Sequence, residues 1–176
     1  MTIRVLLVDD EPMVCAHLRT ILDDEPGGEI AVVGEAHDGA EAVEEVVRHR
    51  PDVVLLDLRM PEVDGLAALE HMVALEPAPT VVVLTTFDVD SYVLRALGLG
   101  ASGFLLKSTS PQDLRRLVVV AAGLGDVVAV EEAVAAGEPV GVAVGVTAGM
   151  GGGLAPRSTL TGRPTLPCSS IARTAT

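Results

Sequence analysis

Apolar and polar residues follow two alternating rhythms along the first two thirds of this chain. Short apolar runs fall at 3–8, 30–34, 53–56, 80–84 and 103–106, among them Val5-Leu6-Leu7-Val8, Val53-Val54-Leu55-Leu56 and Val81-Val82-Val83-Leu84. Nearly continuous Val/Leu/Ile runs are what strands covered on both faces require, because neither face meets water. Between them, helical spacing predicts helices at about 12–24, 39–49, 65–75, 89–98 and 111–121. Pro12 and Pro111 suit first helical turns, where a missing N–H costs nothing. Asp38 and Ser110 stand where N-caps belong, and Pro51, Pro77 and Pro79 interrupt the return from helix to strand. Five strand–helix repeats with right-handed crossovers imply an α/β fold, a doubly wound parallel five-stranded sheet in a three-layer sandwich.

The rhythm stops near residue 122, which divides the chain into a domain at 1–122 and a tail at 123–176. Residues 123–155 are rich in Gly, Ala and Val, and Gly151-Gly152-Gly153 marks a flexible joint. Ala-Val-Glu repeats around 127–136 suit one short amphipathic helix. The uncharged stretch 139–156 raises a membrane reading, but about a third of it is Gly and it barely reaches spanning length. We therefore expect no membrane association. Residues 157–176, rich in Ser, Thr, Pro and Arg, read as a disordered, low-complexity end.

Composition narrows the picture further. The 176 residues suffice for one ordinary domain plus an extension, and with no Trp, one Tyr and two Phe the core must be aliphatic. The net charge of −13 is uneven: residues 1–122 hold 21 acids against 9 bases. Such a surface argues against a free-standing nucleic-acid binder, which needs clustered cations. Cys15 and Cys168 are far apart and lack any His/Cys spacing, so neither a disulfide framework nor a zinc site is indicated. The N-terminus enters a strand directly without a signal peptide, which makes a cytoplasmic location the default.

The chemistry lies at the ends of the apolar runs. Asp9-Asp10 follow the first, Asp57 the third, Thr85 the fourth, and Lys107 the fifth. In an open parallel sheet these ends share one edge, where ligands bind. Three carboxylates held close repel one another, and a hard divalent cation such as Mg²⁺ relieves that repulsion while coordinating water and phosphate. A lone Asp in such a place is more often a cap or turn residue; the triplet together with Thr85 and Lys107 is not so easily dismissed. Lys107 can pair with a carboxylate at rest and with a phosphoryl oxygen after transfer. Thr85 can donate its hydroxyl, and on chemistry alone Thr86 is as good. Met60-Pro61 and Asp64-Gly65 shape the loop after Asp57, with Gly65 permitting close packing, a special backbone angle or simply a turn.

The ordered set Asp9-Asp10, Asp57-Leu-Arg-Met-Pro-Glu-Val-Asp-Gly65, Leu84-Thr85-Thr86-Phe87 and Gly103-Phe-Leu-Leu-Lys107 resembles the receiver domain of bacterial two-component response regulators. The Leu-Thr-Thr-Phe-Asp and Gly-Ala-Ser-Gly-Phe-Leu-Leu-Lys phrases are similar to the NarL/FixJ (LuxR-type) subfamily. The likeness covers about residues 1–122 and implies a flavodoxin- or CheY-like fold. It implies Asp57 as the phosphoacceptor and Mg²⁺ as the cofactor. Asp10, Asp57 and the Arg59 carbonyl would be direct ligands, with Asp9 as an outer-shell acid. It further implies Thr85 as the switch hydroxyl, Phe104 as the switch aromatic turning inward as Thr85 moves, and Lys107 as the phosphoryl-pairing lysine. The partner would be a sensor histidine kinase, and the surface formed by the fourth helix, fifth strand and fifth helix would change on phosphorylation. Pairing with a second receiver is compatible with this reading.

Two departures stand out. Ser108 follows the lysine where many receivers have Pro. The family usually continues into a helix-turn-helix domain, whereas 123–176 shows no basic recognition helix, and Leu160-Thr161 only faintly resembles the opening of one. DNA binding is therefore not expected from this chain alone, which reads as a stand-alone receiver or a truncated or degenerate regulator, and not as a turnover enzyme. Two other classes share some parts. Haloacid-dehalogenase-type phosphatases place the nucleophile on the first strand with a second Asp two residues on, but here position 11 is Glu and Asp57 follows the third run. A flavodoxin-like cofactor module would want a phosphate loop where Asp9-Asp10-Glu11 stands.

Overall fold

The computed structural model describes residues 1–24, 27–60, 64–86 and 91–123. Strands and helices alternate through them: β1 (Ile3–Val8), α1 (Pro12–Asp23), β2 (Ile30–Ala36), α2 (Gly39–His49), β3 (Val53–Asp57), α3 (Gly65–Val73), β4 (Thr80–Thr85), α4 (Ser91–Leu99), β5 (Gly103–Leu106) and α5 (Pro111–Ala121). The expectations placed on Pro61, on Phe87 and on the tail beyond Gly123 lie outside the described residues.

All neighbouring strands are parallel, in the order β2-β1-β3-β4-β5. The doubly wound α/β reading therefore holds, and alternation within each strand explains its two cores. Leu6, Val8, Val54, Leu56, Val81, Val83 and Phe104 face α2, α3 and α4. Val5, Leu7, Val53, Leu55, Val82, Leu84 and Leu105 face α1 and α5. Since successive side chains point to opposite faces, a strand buried on both must be apolar at every position.

The caps fall where the polar residues predicted them. Pro12 and Pro111 occupy first turns. The Asp38 carboxylate accepts from Ala40 N and Glu41 N, each at 2.8 Å, and Ser110 Oγ accepts from Asp113 N. Gly123, at φ 74°, takes the left-handed conformation just past α5.

Several boundaries differ from the pattern. β2 runs two residues past its apolar stretch, because the backbone ladder continues as Leu7↔Glu35 and Val8↔Ala36 after a register shift that skips Val33; backbone pairing is indifferent to side-chain polarity. Asp57 and Thr85 are the last residues of β3 and β4, not the first of their loops. α3 stops at Val73, two residues short of the expected end.

Candidate functional site

The register fixes which strand ends meet. β1 and β3 are neighbours at the centre of the sheet, with Val8 opposite Leu56, so the next residues, Asp9 and Asp57, emerge side by side. Leu84 pairs with Asp57 and Leu106 with Thr85, which brings Thr85 and Lys107 to the same edge. Lys107 N donates to Thr85 O at 2.7 Å, carrying the ladder one step past the strand.

Asp9, Asp10 and Asp57 can each present a carboxylate oxygen within 4.8 Å of the others. Asp9 is wholly buried and Asp57 nearly so, while Asp10 is half-buried. Lys107 answers the charge of two of them: Nζ lies 2.8 Å from Asp57 Oδ2 and 2.6 Å from Asp9 Oδ2. The Asp57 contact is a hydrogen bond. The Asp9 contact is an ion pair, and no other partner reaches the buried Asp9 Oδ2 among the described residues. The other oxygens are held by backbone: Arg59 N donates to Asp57 Oδ1 at 2.9 Å, and Glu11 N to Asp9 Oδ1 at 3.0 Å.

Burial pushes the Asp9 carboxyl above its ordinary 3.8; Lys107 and the Glu11 N–H draw it back only in part, and the nearby Asp57 charge adds to the rise. Burial works against the Lys107 ammonium as well. Its hydrogen bonds and charge contacts with Asp57 and Asp9 outweigh that, and hold it above the ordinary 10.5. The cluster therefore keeps its cation firmly charged and carries more negative charge than one ammonium offsets. Three carboxylates able to bring oxygens within 4.8 Å of one another, answered by a single ammonium, fit a small divalent cation, and the residues present suit Mg²⁺.

The cluster floors a cavity of about 220 Å³ lined by Asp10, Glu11, Asp57, Arg59, Thr85, Thr86, Tyr92 and Lys107, among others. Space for a phosphoryl group thus opens directly over Asp57. Thr85 and Thr86 both line it, so geometry leaves the choice between them as the sequence chemistry did. Phe104 does not line the cavity; it is 6 % exposed and packs within the α2–α3–α4 core. Met60 is buried in that same core.

The loop after Asp57 is closed by contact. Asp64 accepts from Leu66 N at 3.1 Å and caps α3. A Cβ on Gly65 would stand 2.7 Å from both Asp57 O and Leu58 Cα. Close packing is thus the reason for this glycine, and a special backbone angle is not, since Gly65 is absent from the positive-φ residues.

Sequence reasoning passed over four contributors. Glu11 supplies the N–H on Asp9, and Tyr92 reaches the cavity from α4. The Asp9 carbonyl oxygen accepts from Cys15 Sγ at 3.7 Å and lies 3.0 Å from His37 Nδ1. The rarity of aromatic residues was a usable signal for Tyr92; backbone contacts such as those of Glu11 and His37 leave no mark on residue type. Burial lifts the Cys15 thiol to about 12, so it is an inert packing group.

Comparison with known proteins follows the same lines. Residues 5–119 match the response regulator receiver domain family. Transcriptional regulatory protein YxjL of Bacillus subtilis is 38% identical over 112 residues, covering 64% of this chain and 50% of that protein. Transcriptional regulatory protein DegU of Brevibacillus brevis is 38% identical over 120 residues, or 68% of this chain and 50% of that protein. The chain thus spans about half the length of these relatives. Among solved structures, the signal receiver domain of the response regulator NarL from Mycobacterium tuberculosis superposes with a TM-score of 0.64 at 36% identity, covering 69% of this chain and 97% of that one.

Proposed function

The chain belongs to the response regulator receiver domain family of two-component systems, with relatives of the NarL/LuxR type, and from that premise we propose that Asp57 accepts a phosphoryl group from a sensor histidine kinase with Mg²⁺ bound beside it. The observation that carries this reading is the Asp57 carboxylate held at both oxygens, by Lys107 Nζ at 2.8 Å and Arg59 N at 2.9 Å, beneath an open cavity.

One Asp57 oxygen attacks phosphorus in line as the bond to the donor's imidazole nitrogen breaks, leaving an aspartyl phosphate. Asp10, Asp57 and the Arg59 carbonyl would hold Mg²⁺, with Asp9 behind them, and the ion would supply charge neutralisation at the phosphoryl group. Lys107 shifts from Asp57 towards the new phosphoryl oxygens while Asp9 keeps it in reach, so its charge is never stranded. Thr85 turns its hydroxyl to the phosphoryl group. Movement of Thr85 is then felt by Phe104, the aromatic on β5 packed in the α2–α3–α4 core. The change is read on the α4–β5–α5 face, by a partner or a second receiver. Residues 1–122 carry this function in the cytoplasm, and no DNA contact is assigned to 123–176. Among the described residues no helix is long and apolar enough to cross a membrane.

Phosphate stoichiometry tests the reading. Acetyl phosphate with Mg²⁺ should place one phosphoryl group on each chain, and none when the metal is chelated. Sustained hydrolysis of a phosphomonoester without a stable phosphoprotein would point to a phosphatase instead.

A further inference from the structure

We propose that His37 is a positioning residue for the acid cluster, acting through the peptide unit that joins Asp9 to Asp10; this inference rests on reading that cluster as the Mg²⁺ and phosphoryl site. His37 follows directly on β2, and its Nδ1 lies 3.0 Å from the Asp9 carbonyl oxygen. A carbonyl only accepts, so Nδ1 carries the hydrogen in this contact, whether the ring is neutral or charged. The preceding residue completes the hold, since Asp9 N donates to Ala36 O at 3.0 Å. The end of β2 thus grips Asp9 on both sides of its Cα.

The ring hangs from a locked turn. His37 N donates to Glu41 Oε2 at 2.7 Å, and the next residue, Asp38, caps α2. Glu41 reaching back across the Asp38 cap is a reciprocal arrangement that leaves the turn little freedom. Cys15 Sγ also approaches the Asp9 carbonyl, but at 3.7 Å it is the weaker donor.

The consequence follows from peptide planarity. The Asp9 carbonyl and the Asp10 nitrogen belong to one rigid plane, so the donor that fixes the carbonyl also fixes the direction in which Asp10 leaves the strand. Asp9 then aims Oδ1 at Glu11 N and Oδ2 at Lys107, and Asp10 faces Asp57. An outer hydrogen bond that orients ligands is a recognised lever on metal affinity.

Three variants separate donor from bulk: His37→Ala removes both, His37→Phe keeps a ring without a donor, and His37→Asn keeps a donor near the Nδ1 place. By calorimetry His37→Ala and His37→Phe should bind Mg²⁺ about tenfold more weakly than the wild-type chain, with unchanged circular dichroism, and His37→Asn should recover most of the loss. A metal-free readout accompanies it: by NMR, the Glu11 amide, protected by Asp9 Oδ1, should exchange faster in His37→Ala and His37→Phe than in His37→Asn. Unchanged Mg²⁺ affinity in His37→Ala, or a loss that the donor-bearing variant fails to restore, overturns the proposal. If the wild-type chain binds no Mg²⁺, the reading of the site fails, and the Glu11 exchange rates still decide the role of His37.

Discussion

Lys107 Nζ sits 2.8 Å from Asp57 Oδ2 across fifty residues of sequence, and 2.6 Å from Asp9 Oδ2 at the same time. β4 stands between the strands that carry Lys107 and Asp57, so the long side chain spans a neighbour to reach them. Lys107 is the only lysine in the chain, and its side chain is 14% exposed.

The shared ammonium makes stability sensitive to alkali. A lysine whose folded value lies above 10.5 contributes stability that is complete below 10.5 and is lost as pH rises through the folded value. Urea denaturation between neutral pH and about pH 11 should show the wild-type chain losing more stability than Lys107→Gln, since no other lysine titrates there. Parallel losses in the two proteins would contradict the pairing.

Asp10 has a different role from Asp9. It is half-buried at the cavity wall, whereas Asp9 is buried behind it. Asp10→Ala removes one of three crowded like charges, so its melting temperature without metal should not fall. Its Mg²⁺ affinity should fall by more than the roughly tenfold typical of an outer-shell loss, and beryllofluoride should no longer bind. Metal-independent beryllofluoride binding would refute the cluster as a cation site.

Gly65 is a matter of space. The 2.7 Å approach to the Asp57 carbonyl and Leu58 Cα involves backbone, which cannot swing aside. Gly65→Ala should destabilise the fold by about 1–3 kcal/mol, measured as a lower urea midpoint with unchanged slope. It should also slow phosphorylation, because the strain falls on the residue proposed as acceptor.

The strand-end acids were legible because a parallel sheet must gather them on one edge, and the apolar runs marked where each strand stops. Asp38 and Ser110 were legible for a local reason: a polar side chain at a helix start has a defined partner in the first-turn N–H groups. What stayed hidden depends on backbone atoms. The extension of β2 through Glu35-Ala36 rests on ladder bonds, and the hold of His37 on Asp9 ends at a carbonyl that every residue possesses. Phe104 shows the reverse case. Its side chain was singled out as a switch, and its packing against residues of β4, α3 and α4 is something that a run such as Gly-Phe-Leu-Leu does not disclose.

Phe104 is 6 % exposed in a core that includes Val81, Val83, Val93 and Ala96. Phe104→Ala should therefore cost about 3–5 kcal/mol of stability in the unphosphorylated protein, read by urea denaturation. A cost below about 1 kcal/mol, within reach of a surface substitution, would place the ring outside the core at rest.

The most direct test of the account is intact-protein mass spectrometry after exposure to acetyl phosphate and Mg²⁺, comparing the wild-type chain with Asp57→Asn. The account predicts one phosphoryl adduct on the wild-type chain, lost on chelation of the metal, and none on Asp57→Asn. Full labelling of Asp57→Asn would contradict it, since the phosphoryl group would then rest on some other side chain.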